Sequence, residues 1–90
     1  MDIEAGSLVY SGAGRDKGGI FAVMSVEGEY CYLCDGKSRK CAKPKKKKLK
    51  HVKPAQKVCE TLKNKIVLGE KLTNAEIRKS IAACMDEQTG

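Results

Sequence analysis

A chain of 90 residues buries one small core and leaves little room for a catalytic cleft between domains. Eighteen Lys and Arg against eleven Asp and Glu give a net charge of +7, which points to a polyanion as partner, nucleic acid first. The sequence holds no long apolar span, secretory segment or amphipathic basic helix, so a membrane partner is not expected and the expected location is the cytoplasm.

The charge is unevenly spread: residues 1–36 carry a net −4, residues 37–53 carry +10 with no acidic residue, and residues 54–90 carry +1. In the first part, Leu8, Val9 and Tyr10 after Gly6 read as a short strand. The loop "SGAGRDKGG" follows, then "IFAVMSV" and "EGEYCYLCDG". Short β-type runs punctuated by glycine predict a meander of about five strands, with tight hairpins at Glu27-Gly28 and, on the stronger signal, at Asp35-Gly36. In the basic block, "KSRKCAKP" has Cys41 as its main apolar residue. A pure tail has no reason to carry Leu49 and Val52, so Lys47 to Val52 reads as a last strand and Lys43 to Lys46 as the loop before it.

After Pro54 the apolar period becomes helical. Val58, Cys59, Leu62 and Ile66 fall at helical spacing and Gly69 is a stop, although the β-branched residues of "KIVLG" would also suit a short strand. A second helix is marked by a Thr73/Glu76 capping box, a Leu72/Ile77 staple and the stripe Ile77, Ile81, Cys84, Met85. A helix this short is marginal alone, so the hairpin is expected to pack on the rest of the chain. The expected organisation is a β domain over residues 1–53, which includes the basic segment, and a helical extension over 54–90.

"AGRDKGGIFAV", within Gly6 to Val26, resembles a KOW motif: a small strand, a basic Gly-rich loop, an obligatory glycine matched by Gly18 with Lys17 before it, and a second apolar strand. The longer run through "CAKPKKKKLKHV" is similar to bacterial KOW-domain RNA-binding proteins related to the large-subunit ribosomal protein L14e family. The resemblance covers roughly residues 6–53. It implies a mainly β fold, an SH3-like small barrel of about five strands, and binding to RNA, often ribosomal RNA. KOW domains of transcription elongation factors contact proteins instead, so the alternative is a protein-interaction module of the transcription or translation machinery, with the helical hairpin as its partner-binding piece.

The residues themselves support a phosphate-binding role. Gly12, Gly14, Gly18 and Gly19 let a loop bring backbone N–H groups toward a phosphate, with Arg15 and Lys17 adding charge. Their spacing misses the dinucleotide fingerprint and strand-like sequence follows, so nucleotide binding is not expected. Lys37, Arg39, Lys40, Lys43, Lys45, Lys46, Lys47, Lys48, Lys50 and His51 are the further candidate RNA contacts. Lysine, a mobile point charge, suits phosphate tracking more than base readout. Tyr10, Phe21, Tyr30 and Tyr32 read as barrel core or rim packing, with base stacking as the alternative. The C-x-x-C of Cys31 and Cys34 has zinc spacing, with Cys41 and His51 to complete a set. Tyr32-Leu33 is a poor knuckle, however, and strand residues three apart face opposite sides about 10 Å apart, so reduced, metal-free thiols are expected. One histidine and no paired carboxylates give no basis for an enzyme, a cofactor or a small-molecule substrate. The expected partners are RNA, ribosomal above all, and proteins of the ribosomal subunits.

Overall fold

Glycine-punctuated runs of β-branched and aromatic residues make the first three strands, and the capped apolar stripe makes the C-terminal helix. A computed structural model describes residues 3–11 and 19–86. Its elements are β1 (Ser7–Ser11), β2 (Ile20–Glu27), β3 (Tyr30–Cys34), β4 (Lys45–Lys48), a 3-10 turn (Leu49–His51), β5 (Val52–Val58), α1 (Glu60–Val67) and α2 (Asn74–Asp86). The five strands form one antiparallel sheet in the order β4-β3-β2-β1-β5. Among the described residues no helix is long and apolar enough to cross a membrane.

Each face of the sheet carries a core, and the two differ. Leu8, Ala22 and Cys34 pack with Cys59, Leu62, Leu72, Ile77 and Ile81, so the helices cover this face. Val9, Phe21, Val23, Cys31 and Leu33 pack with Val52 on the other. Val52 lies on β5, so this cluster draws on four of the five strands. Lys47 Nζ of β4 reaches past β3 and β2 to donate to Ser11 Oγ of β1 at 3.0 Å, so the sheet curls. The alternation of β2 would put Ser25 inside and Val26 outside. A bulge between Val23 and Ser25 inserts Met24, reverses the parity, and lets Val26 join the inner cluster opposite Cys31.

Three sequence expectations change. The basic strand is Lys45–Lys48, two residues earlier than expected, and Leu49 ends it in the 3-10 turn. The strand after it then runs through Pro54 to Val58. Pro54 is tolerated because β5 is an edge strand whose ladder breaks at a bulge, where Gln56 takes φ +58°. Val58 therefore ends a strand opposite Ser7, and α1 starts only at Glu60, well past the proline, while Cys59, Leu62 and Ile66 do face the core. Asp35-Gly36 is not a tight hairpin: a connection of residues 35–44 separates β3 from β4. Glu27 and Tyr30, by contrast, close on the two-residue loop Gly28-Glu29, with Gly28 at φ +59°.

The hairpin is pinned as its caps indicate. Thr73 N–H donates to Glu76 Oε2 (3.2 Å) and Glu76 N–H to Thr73 Oγ1 (3.1 Å), the reciprocal capping box. The last turn of α2 has no basic residue of its own, and Lys57 of β5 donates to the Cys84 carbonyl at 2.6 Å in its place. Because Ile77 is fully buried while Val67 is 73% exposed, Ile77→Ala should cost about 2–5 kcal/mol in urea melts. Val67→Ala should stay within about 0.5 kcal/mol.

Candidate nucleic-acid interface

Four consecutive lysines are poor strand formers, and β4 exists because it pairs with β3: Lys45 with Leu33, Lys46 with Tyr32, Lys47 with Cys31 and Lys48 with Tyr30. At a sheet edge such charge also blocks pairing with another chain. The strand period divides the four. Lys45 and Lys47 are half-buried on the inner side, their stems opposite Leu33 and Cys31, and Lys47 is engaged with Ser11. Lys46 and Lys48 are exposed on the outer side, with their ammonium groups 4.5 and 6.0 Å from the centre of the Tyr30 ring.

The connection before β4 carries Lys37, Arg39, Lys40 and Lys43. The Asp35 carboxylate organises it, accepting the N–H of Lys37 (2.8 Å), the N–H of Arg39 (2.9 Å) and the Ser38 hydroxyl (3.0 Å). Burial alone would raise the Asp35 pKa. The Arg39 and Lys37 N–H groups, Ser38 and the Lys37 charge outweigh it and hold the carboxyl below its ordinary value. The loop is fastened to α2 as well. Cys41 N–H donates to Asn74 Oδ1 (2.8 Å), the Cys41 thiol to the Leu72 carbonyl (3.2 Å) and the Arg78 guanidinium to the Gly36 carbonyl (2.6 Å). Gly36 sits at φ +77°, and an added Cβ would collide with the Asn74 carbonyl.

Lys37, Lys40 and Lys43 are exposed in this loop and Arg39 is half-buried. Lys50 and His51 are exposed in the 3-10 turn. Lys53, the last cation of the basic block, lies on β5 opposite Tyr10. The β4 lysines, the 35–44 connection and the 3-10 turn thus line the β4 edge, whereas Lys53 lies on β5, at the other end of the strand order. Arg15, Lys17 and Gly18 lie outside the described residues. Two acidic residues stand at the β2–β3 hairpin, Glu27 opposite Tyr30 and Glu29 in the loop, where its backbone carbonyl accepts the Leu49 N–H at 2.8 Å.

Cys31 and Cys34 point to opposite sides of β3, the first into the inner cluster and the second toward the helices. Burial, then Cys41 and Asp35, push the Cys34 pKa up to about 12. Burial also raises Cys31 against the pull of Lys47. Both therefore stay as thiols at neutral pH. Of the aromatics, Phe21 is core, Tyr10 is 37% exposed, and Tyr30 and Tyr32 are half-buried but belong to neither cluster. Of core or rim packing, half-burial outside both clusters leaves these two tyrosines the rim. The signal that separates them is the period-2 pattern of "YCYLC", which sets Tyr30 and Tyr32 against Cys31 and Leu33. Compared with known families and curated proteins, the sequence matches no family model and no curated protein.

A lowered carboxyl pKa stabilises the fold above the unfolded-state value and loses that contribution as pH falls through the folded-state value. The stability advantage of the native protein over Asp35→Asn should be constant above about pH 5 and shrink below about pH 4. Urea melts across that range check it, and an advantage that grows toward acid would contradict the sign.

Proposed function

We propose that this chain is an RNA-binding protein, associated with the ribosome or ribosomal RNA, that grips the phosphate backbone through its lysine edge strand and the loops on either side. The observation that carries the reading is β4 itself: a strand made only of lysine, ordered by its ladder and flanked by Lys37, Lys40, Lys43 and Lys50. Neutralising several phosphates at once releases condensed counterions and gives strong, salt-sensitive affinity without chosen bases. We further read the curled sheet as an SH3-like small barrel of the KOW type. The strand order, the 3-10 turn between β4 and β5, and an inner cluster drawn from β1, β2, β3 and β5 support this reading.

A protein-interaction role is the second reading. The α2 stripe does not favour it, because Ile77 and Ile81 are spent on the sheet. Val67 and Leu68, 73% and 72% exposed at the end of α1, do favour it. Co-sedimentation with ribosomal subunits over a salt series separates the two. Lys46→Ala with Lys48→Ala should flatten the slope of log K against log salt by about 1.5 units, near 0.7–0.9 for each phosphate no longer neutralised. Val67→Ser with Leu68→Ser should leave the slope and the affinity alone. The reverse pattern would move the function to α1 and a protein surface.

A further inference from the structure

Tyr30 and Tyr32 stand two residues apart on β3, so both rings leave the same face of the sheet. Across the ladders they meet Lys48 and Lys46 on one side, Glu27 and Ser25 on the other. Those four neighbours are exposed and the two tyrosines half-buried. The helices cover this face only farther along, over Leu8, Ala22 and Cys34. What stays open is a pair of aromatic rings with two cations along one border and an acidic group along the other.

An ammonium 4.5 Å from the Tyr30 ring is a contact of modest strength at an exposed site, on a flexible four-carbon stem. An unpaired nucleotide offers a better arrangement to both groups: its base stacks on the ring and its phosphate takes the lysine, so neither partner is left alone. A duplex offers only the phosphate, because its bases already stack on one another. Residues two apart on a strand are about 6.6 Å apart, roughly twice the 3.4 Å spacing of stacked bases. Neighbouring bases seated on both rings are therefore splayed from each other, as in RNA loops and bulges. Glu27 beside Tyr30 repels phosphate, so the backbone lies on the β4 side.

We infer that Tyr30 and Tyr32, with Lys46 and Lys48, form a stacking site for two successive unpaired nucleotides. The inference rests on the RNA-binding reading and narrows it to single-stranded segments.

The chain has three tyrosines, two of them at this site, and no tryptophan, so quenching of its intrinsic fluorescence that persists in a Tyr10→Phe chain reports on this site. A short oligouridylate should quench tyrosine emission, whereas inorganic polyphosphate of similar charge and a blunt RNA duplex should bind without quenching. Tyr30→Leu and Tyr32→Leu should each weaken oligouridylate about ten-fold while leaving polyphosphate within about two-fold, and Tyr30→Phe, which keeps the ring, should behave as the native chain. Equal affinity for oligouridylate and polyphosphate with unchanged emission of the native protein would overturn the stacking site and leave phosphate binding standing. Failure of all three ligands to bind at low salt would overturn both.

Discussion

The ladder between β3 and β4 is the constraint on which the rest depends. Lysine has little preference for a strand, and four in a row repel one another, so the segment is ordered only because each pairs with a residue of β3. β3 can supply that template because Cys31 and Leu33 are locked in the inner cluster. The outer side of the same strand then has to present Tyr30 and Tyr32, with Lys46 and Lys48 alongside. Burial on one side of β3 thus sets the chemistry on the other.

The helices act at a distance. By covering Leu8, Ala22 and Cys34 they fix one face of β1, β2 and β3. Through Asn74, Leu72 and Arg78, α2 and the turn before it hold the loop that delivers the chain into β4. The loop is therefore basic without being slack, since Asp35 fastens its first turn and α2 its middle. At the other end, Glu4 pairs with Lys63 at 2.6 Å, and Gly6 lies so close to α1 that an added Cβ would sit 2.7 Å from the Lys63 side chain. A positively charged rim on a braced sheet loses less conformational entropy on meeting a phosphate backbone than a free lysine tail.

Much of this is legible in the sequence, for reasons that can be named. The capping box at Thr73 and Glu76 and the stripe Ile77, Ile81 are local signals, and α2 forms where they place it. The strand period of "YCYLC" separates Cys31 from Cys34 as the residues imply. What the sequence hides is non-local. Nothing in "KKKK" marks a strand, because its order comes from β3. Pro54 reads as a break unless it is known to lie at a sheet edge. Asp35-Gly36 has hairpin chemistry but spends it on an Asp-centred turn, since Gly36 must also pack under α2. Tyr30 and Tyr32 read as packing because a small core without tryptophan needs aromatics. The inner cluster instead fills with Phe21, Leu33 and valines, which leaves both rings outside it.

The most direct measurement is a backbone amide NMR titration of the whole chain with a short single-stranded RNA. Shifts are expected to concentrate at Tyr30, Tyr32, Lys45 to Lys48 and the Lys37–Lys43 loop and to fade as salt rises, while the middle of α2 stays still. Shifts centred on α1 and α2, with β3 and β4 unmoved, would contradict an RNA site built on the β3–β4 ladder.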